Sequence, residues 1–176
     1  MKTQFRFCPR CAQPLVDEHR GDAWRRVCTQ DACGYIHWNN PTPVVAAIVE
    51  HEGEVILAHN RSWPAHWYGL ITGFLERDES PESGVLREVE EELALRGEIR
   101  DFVGHYTFPA MNQLIIAYHV IAEGVIHLNE ELDDYKRIPP ARLKPWPAAT
   151  GEAVADWLRR QGITPAGWSS TGRAAL

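Results

Sequence analysis

Apolar positions follow two different periods along the chain, and the change of period separates predicted strands from predicted helices. Five segments are rich in β-branched or alternating apolar residues and have strand character: 44–51, 54–59, 70–75, 98–108 and 113–123. The sequence His51–Glu54 contains a glycine between two of these segments and predicts a hairpin turn. The pattern therefore predicts a mixed sheet.

A helix is predicted between the third and the fourth of these strands. Ser80 is a suitable N-cap residue, and Pro81 suits the first helical turn. At about 100° per residue, three apolar side chains fall within one narrow arc and should face the core. They are Leu86, Val89 and Leu93.

The last third of the chain predicts a second helix and little other regular structure. Segment 128–135 is acidic, and segment 137–147 contains four prolines and is predicted to be a loop. Segment 150–160 has helical periodicity, and residues 163–176 are predicted to form a loosely ordered tail. The predicted buried side of the second helix consists of Ala153, Val154, Trp157 and Leu158.

Three glutamates form a second arc on the first predicted helix. Glu88, Glu91 and Glu92 stand at positions i, i+3 and i+4. Like-charged pairs of this kind cost roughly 0.2–0.5 kcal/mol each on an exposed helix. The run is therefore either a solvated face or a site for a divalent cation such as Mg²⁺ or Mn²⁺, which prefers oxygen ligands.

The stretch 73–95 resembles the Nudix box, Gly-x5-Glu-x7-Arg-Glu-U-x-Glu-Glu-x-Gly-U, where U is a bulky apolar residue. Ala94 stands where the family has glycine, which bears on the turn after the helix but removes no metal ligand. A match of this length is specific and favours the metal-binding interpretation. The matching residues are Gly73, Glu79, Arg87, Glu88, Val89, Glu91, Glu92 and Leu95.

The resemblance implies the α/β fold of this family, an α/β/α sandwich with a mixed sheet. It also implies hydrolysis of a nucleoside diphosphate linked to another group, with Mg²⁺ or Mn²⁺ as the catalytic ion. Glu88, Glu91 and Glu92 are carried over as catalytic metal ligands, and the base is Glu91, Glu92 or a loop residue. Arg87 is carried over as a supporting residue that pairs with Glu79.

All four cysteines lie near the start of the chain, in the pairs Cys8 with Cys11 and Cys28 with Cys33. This spacing predicts a structural Zn²⁺ site of four thiolates, and the segment resembles a zinc ribbon. A disulfide or redox role, or His37 as a substitute ligand, are the alternatives. We expect a zinc ribbon over 1–38 and a Nudix domain over 42–162, an order similar to that of the NADH diphosphatases.

Two stretches contain candidate substrate-binding residues. Where the NADH diphosphatases carry Ser-Gln-Pro-Trp-Pro-Phe-Pro, this chain keeps Phe108 and Pro109 and has Tyr106 in place of the tryptophan. Phe108 and Tyr106 are therefore candidates for stacking on a base, or else core residues. The aromatic loop 60–69 either covers the sheet edge or holds a base or phosphate through a ring or through Arg61.

Glu131 follows the last long predicted strand and resembles the late glutamate of the NADH diphosphatases. It is either a further metal ligand or part of a solvated acidic loop. NADH or NAD is the expected substrate, and ADP-ribose, FAD and NAD-capped RNA are alternatives. A zinc-ribbon module that binds a nucleotide without cleaving it is the alternative from another class of protein.

The formal charge of −6 at pH 7 argues against non-specific binding to nucleic acid or to anionic membranes, with NAD-capped RNA as the exception. No apolar run reaches the roughly 18 residues of a membrane span, and residues 1–6 lack a signal-peptide core. We therefore expect a cytoplasmic protein. Many members of the family are homodimers, so the resemblance also implies a possible homodimer.

Overall fold

The computed structural model describes residues 5–165. The chain folds into two compact units that divide between Pro41 and Thr42. This division lies between the end of the predicted ribbon at residue 38 and the start of the predicted Nudix domain at residue 42. The predicted tail, 163–176, lies outside the described residues from position 166 onward.

The first unit is a small antiparallel sheet of three strands. They are β1 (Leu15–Arg20), β2 (Ala23–Cys28) and β3 (Ile36–His37), with β2 in the middle. Two of the three buried residues that form its core are cysteines, and the third is Leu15. So small a core contributes little burial, and a metal is the usual additional source of stability for a unit of this size.

The second unit is a six-stranded mixed sheet, in which β4 runs parallel to β8 and the other pairs are antiparallel. The strand order is β7-β8-β4-β5-β9. The short strand β6 pairs with the first half of β4, on the same edge of β4 as β5. Two helices complete the unit. The elements are β4 (Thr42–His51), β5 (Glu54–Asn60), β6 (Ile71–Phe74), α1 (Pro81–Leu93), β7 (Arg96–Phe108), β8 (Gln113–Glu123), β9 (Leu132–Ile138) and α2 (Thr150–Arg160).

Each face of this sheet is covered by one helix. Along β4, Val45, Ala47 and Val49 pack on the side of α1, while the alternating residues between them pack on the side of α2. Because both faces are covered, β4 is apolar along most of its length instead of alternating with polar residues. The predicted α/β/α sandwich is confirmed.

Helix α1 begins as the sequence predicted. The Ser80 hydroxyl accepts a hydrogen bond from the Ser83 backbone N–H, and the Ser83 hydroxyl lies 3.1 Å from the Ser80 backbone nitrogen, which completes a capping box. Val89 and Leu93 are fully buried, as predicted, and Val85 joins them.

No strand was predicted in the acidic segment 128–135 or in the loop 137–147. This was wrong, because β9 runs from Leu132 to Ile138. This strand lies at the edge of the sheet and pairs with β5 alone. Leu132 is its only fully buried residue, so its hydrophobic pattern is weak. The prolines that suggested a loop start directly after it. Neither helix of the described residues has the length and apolar character that crossing a membrane requires.

Candidate active site

Strand β6 and helix α1 place a glycine directly against a carboxylate. Gly73 pairs with Val45 of β4, and a Cβ atom at position 73 would overlap the Glu88 carboxylate. Glycine therefore leaves the space that the Glu88 carboxylate occupies, and a larger residue would force that carboxylate to move. Gly73 and Glu88 are fifteen positions apart in the box, and the fold brings them into contact.

Arg87 connects the turn before the helix with two glutamates of the helix. Its Nε and one terminal nitrogen donate to the two oxygens of Glu79 at 2.9 and 3.1 Å, which is the predicted pair in bidentate form. The other terminal nitrogen donates to Glu88 at 2.8 Å and to Glu91 at 2.9 Å. A further bond reaches the Phe74 carbonyl at 3.1 Å. The bond to Arg87 holds the pKa of Glu79 below its usual value.

Glu92 is the buried member of the set. Burial first, and then the negative charges of Glu88, Glu131 and Glu91, raise the pKa of Glu92 to about 8. Burial also raises the pKa of Glu88, while Arg87 opposes that change. A carboxylate that is desolvated beside other carboxylates is unfavourable unless a cation joins it. Carboxylate oxygens are the donors that Mg²⁺ and Mn²⁺ prefer, so the residues present fit such an ion.

Asn129 connects the end of α1 to Glu131. Its backbone N–H donates to the Glu92 carbonyl at 3.3 Å. Its side-chain oxygen accepts bonds from the backbone N–H groups of Glu131 and Leu132 at 3.0 and 3.2 Å. The turn that presents Glu131 is thereby fixed relative to Glu92, and sequence reasoning missed the role of Asn129 because it depends on the unpredicted strand β9.

Glu92 and Glu131 line a cavity of about 70 Å³ together with Asn60, Trp63 and Thr72. A volume of this size holds a few waters or ions but not a nucleoside, since one water occupies about 30 Å³ in the liquid. Trp63 is about one-third exposed and lines the same cavity as the two carboxylates. The aromatic loop therefore brings an indole to the predicted metal site.

The loop that carries Trp63 is held from both sides. The Arg61 backbone N–H donates to the Glu131 carbonyl at 3.0 Å, and the Arg61 Nε donates to the Leu132 carbonyl at 3.3 Å. His59 is buried, with Nδ1 2.5 Å from an Asp133 oxygen and Nε2 3.2 Å from the Pro64 carbonyl. The bond to Asp133 raises the pKa of His59, because both ring nitrogens face acceptors and only the protonated ring donates to both.

The two aromatic candidates from β7 lie on the opposite face of the sheet. Tyr106 is buried in the core beneath α2, and its hydroxyl donates to Asp156 at 3.0 Å. Phe108 is partly buried against the same core. Both line a separate concavity of about 600 Å³ on the α2 side, together with Glu152 and Asp156. The fold therefore does not bring Phe108 or Tyr106 to the Glu92 cavity.

In the first unit the four cysteines come together. Their sulfur atoms all lie within 4.8 Å of one another, with Cys8–Cys33 at 3.7 Å and Cys11–Cys28 at 3.4 Å. A tetrahedral zinc with Zn–S bonds of about 2.3 Å separates its sulfurs by roughly 3.8 Å, so the cluster fits zinc. His37 is not part of this cluster, and its ring makes a tilted contact with Phe5 at a centroid distance of 4.9 Å.

With this geometry in place, a model of the NUDIX domain matches residues 40–160. The chain belongs to the Nudix family. Among curated proteins it is 27% identical over 157 residues to the NAD-capped RNA hydrolase NudC of Pseudomonas entomophila, covering 88% of this chain and 55% of that protein. It is 26% identical over 168 residues to NudC of Pseudomonas putida strain W619, covering 91% and 59%. The chain thus spans little more than half the length of these relatives.

Solved structures show the same fold. A NUDIX hydrolase from Nitrosomonas europaea has a TM-score of 0.74 and 24% identity, and the match covers 92% of this chain and 96% of that one. An ADP-ribose pyrophosphatase from Streptococcus suis has a TM-score of 0.56 and 19% identity, covering 74% and 97%.

Proposed function

We propose that this chain is a hydrolase that depends on a divalent metal and cleaves the diphosphate bond of a nucleoside diphosphate linked to another group. The observation that supports this is the position of Glu92, a desolvated carboxylate that shares a small polar cavity with Glu131 and lies close to Glu88. Glu88, Glu92 and Glu131 would hold Mg²⁺ or Mn²⁺, with Glu91 at the exposed edge. Such an ion neutralises the diphosphate and lowers the pKa of a bound water.

The residues of this chain have separate roles in the proposal. Arg87 is a positioning residue, because its bonds hold Glu88 and Glu91 and connect them to Glu79. Gly73 leaves the space that the Glu88 carboxylate occupies. Asn129 fixes the backbone turn of Glu131. None of these three residues has to contact the substrate, and each determines where a ligand oxygen lies.

The nucleoside must lie outside the Glu92 cavity, which is too small for it. Trp63 offers the ring next to those carboxylates, and we propose that it stacks on the base or the nicotinamide. Phe108 and Tyr106, on the α2 side of the sheet, stay proposals for contacts further from the diphosphate. Arg61, whose backbone N–H donates to the Glu131 carbonyl, stays a proposal for a phosphate contact. NAD or NADH is the first choice of substrate, and the names of the NudC relatives favour NAD-capped RNA beside it. ADP-ribose and FAD follow.

A panel of substrates tests the proposal. Purified, zinc-loaded protein would be assayed with NADH, NAD, ADP-ribose, FAD and NAD-capped RNA in Mg²⁺, in Mn²⁺ and in a chelator. We expect cleavage between the two phosphorus atoms, abolished by the chelator, with the highest kcat/KM for an NAD-containing substrate. Metal-independent binding of NAD without any product would favour the non-catalytic module instead.

Three further assignments belong to the proposal. Zn²⁺ in the ribbon would be structural, because four thiolates leave no open coordination position. A cytoplasmic location and a homodimer stay predictions. Measurement of zinc content and of molar mass in solution checks the first and the last.

A further inference from the structure

The ribbon carries a concave surface that the proposed hydrolysis does not use. It has a volume of about 470 Å³ and is lined by Asp17, Trp24, Arg25, Arg26, His37 and Asn39. All of these residues belong to the ribbon strands or directly follow β3. In register, Asp17 of β1 and His37 of β3 stand opposite Arg26 of β2, so the arginine lies at the centre of the surface.

Arg26 is a cation with few partners. Its side chain is 19% exposed, and its ion pair with Asp17 is long, at 3.5 Å. Among residues 5–165, the buried Nε atoms of Arg25 and Arg26 have no acceptor. A largely buried guanidinium that is incompletely paired is unfavourable, and it loses little when it turns toward an anionic ligand.

Two tryptophans, Trp24 and Trp38, lie near these arginines. Trp24 is 71% exposed, and its ring makes a T-shaped contact with His19 at a centroid distance of 5.7 Å, so most of the indole surface is open to solvent. The Arg25 guanidinium lies 5.5 Å from the centroid of the Trp38 ring, and one of its nitrogens donates to the Trp38 carbonyl. An exposed tryptophan next to a cation is a contact type used for unstacked bases and their phosphates.

The charge of the ribbon differs from that of the rest of the chain. Residues 1–41 contain six Lys and Arg and four Asp and Glu, a formal charge of +2. Residues 42–176 contain 12 Lys and Arg and 20 Asp and Glu, a charge of −8. Zinc with four thiolates carries two negative charges, so even the loaded ribbon is neutral. The overall charge of −6, which argued against nucleic acid, therefore does not describe this surface.

We propose that the ribbon surface formed by Trp24, Arg26 and His37 binds single-stranded nucleic acid, with a base stacked on Trp24 and a phosphate on Arg26. Single strands are favoured over duplex because a duplex hides the base faces that an exposed indole uses. This inference does not depend on hydrolysis at Glu92. If both proposals hold, the ribbon contributes to the recognition of an RNA-linked substrate but not of free NAD.

The test is a binding measurement with the zinc-loaded full chain. The probe is a fluorescein-labelled oligoribonucleotide of about 10 nucleotides without a cap, within the site size of single-strand binding surfaces. We expect Trp24→Ala to weaken binding at least fivefold, as stacked bases generally require, and Trp24→Phe to keep most of it. Arg26→Gln should reduce the slope of log K against log salt by about 0.7, the value for one phosphate contact on a single strand.

Matched controls separate this surface from general effects. Phe7→Ala removes another exposed ring of the ribbon, and Arg77→Gln removes an exposed arginine of the second unit, so both should bind like the parent. Zinc content of each variant shows that the ribbon is intact. Unchanged binding by intact Trp24→Ala and Arg26→Gln overturns the proposal, as does equal affinity for a duplex. A change of molar mass in Trp24→Ala with RNA affinity unaltered would instead assign the surface to self-association.

Discussion

In the ribbon, the donor atoms come from two backbone turns, whereas in the Nudix unit they come from one helix and a loop far along the chain. The four sulfurs converge within 4.8 Å of one another, and in residues 5–165 no other set of three or more ligand side chains does so. The glutamates are further apart, and Arg87 holds two of them by hydrogen bonds. The first arrangement is closed, as a structural zinc site requires, whereas the metal site proposed for the second would keep an open side for a substrate.

The difference also appears in burial and charge. Cys8 and Cys28 are a large part of the small core of their unit and so stabilise it, while Cys33 is half-buried and Cys11 is exposed. Glu92 lies next to an apolar core to which it does not belong. Its ionised carboxylate is destabilising there, because it is desolvated and close to other carboxylates. Removal of a ligand should therefore have opposite effects on stability in the two units.

The largest expected effect is on the open site. Glu92→Gln removes one charge from the proposed metal site, and kcat/KM should fall by about 10²–10⁴-fold, since metal-held charge stabilisation is worth several kcal/mol. In a chelator, the free energy of unfolding should rise, because a desolvated carboxylate beside other carboxylates is gone. Steady-state kinetics and denaturant unfolding measure the two effects.

Glu90→Gln is the matched control for that variant. Glu90 is exposed on the same helix and is outside the proposed ligand set, so turnover should stay near the parent value. If Glu92→Gln turns over like Glu90→Gln with the same dependence on Mg²⁺, Glu92 is not a ligand, and the contrast between the two units disappears.

The closed site should respond in the other direction. Cys8→Ser removes one thiolate of the proposed zinc site. The zinc content should therefore fall from about one zinc per chain and the ribbon should lose stability, because metal binding and folding are coupled in such units. Asp31→Asn, an exposed change between Cys28 and Cys33, is the control and should retain zinc. Elemental analysis and calorimetry measure both. A zinc-free parent with a disulfide would contradict the interpretation.

A third variant tests the packing of the open site. Gly73→Ala introduces a Cβ where the Glu88 carboxylate lies, so unfolding should become easier by about 1–3 kcal/mol and turnover should drop. In Gly73→Ala/Glu88→Ala the overlap is absent, so stability should recover while turnover stays low. This non-additivity distinguishes a steric conflict with Glu88 from a backbone effect of glycine. Equal losses of stability in the single and double variants would point to the backbone.

The fourth prediction compares the two aromatic candidates. Trp63→Ala should raise KM for NADH by about 5–100-fold with kcat less affected, because stacking on a base is worth about 1–3 kcal/mol and is mostly uniform binding. Phe108→Ala, on the α2 side of the sheet, should change KM less. The reverse order of effects would move the base to the concavity beneath α2 and leave Trp63 as a cover of the sheet edge.

Local sequence patterns predicted the parts of the molecule that depend on neighbours in sequence. These parts include the Ser80 cap, the core-facing residues Val89 and Leu93, and the ion pair of Glu79 with Arg87. In each case the interacting residues lie within about two helical turns of one another in sequence. Strand β9 was missed because an edge strand buries few side chains. The role of Asn129 followed from the turn into β9, so no local pattern contained it. The aromatic loop 60–69 was a candidate from its composition, but the fold was needed to select Trp63 within it.

The face of the sheet on which β7 presents its aromatic residues was equally inaccessible from sequence. Tyr106 and Phe108 matched a motif by spacing, yet alternation along a strand gives two possible faces. Only the packing of α2 decides which one they occupy. The charge contrast between ribbon and Nudix unit was present in the sequence throughout, but it emerges only when the chain is divided at Pro41.

The smallest effect concerns the turn that leaves α1, where this chain departs from the box. Ala94 adopts φ 55° and ψ 27°, the left-handed conformation, and its N–H donates to the Glu90 carbonyl at 2.8 Å. Ala94 thus adopts a conformation that glycine adopts readily at helix ends. For a residue with a Cβ atom, this conformation costs roughly 1–2 kcal/mol. Ala94 is exposed, so its methyl group contributes little packing.

Ala94→Gly should therefore stabilise the Nudix unit by about 0.5–1 kcal/mol, since relief of the left-handed strain exceeds the extra entropy of glycine in the unfolded chain. Turnover should stay within a few-fold, because no proposed ligand moves. Ala110→Gly, an exposed alanine without positive φ, should lose a few tenths of a kcal/mol instead. Denaturant unfolding of both variants measures the difference. Equal destabilisation by the two changes would mean that the turn after α1 carries no strain, and that alanine suits this site as well as the glycine of the family.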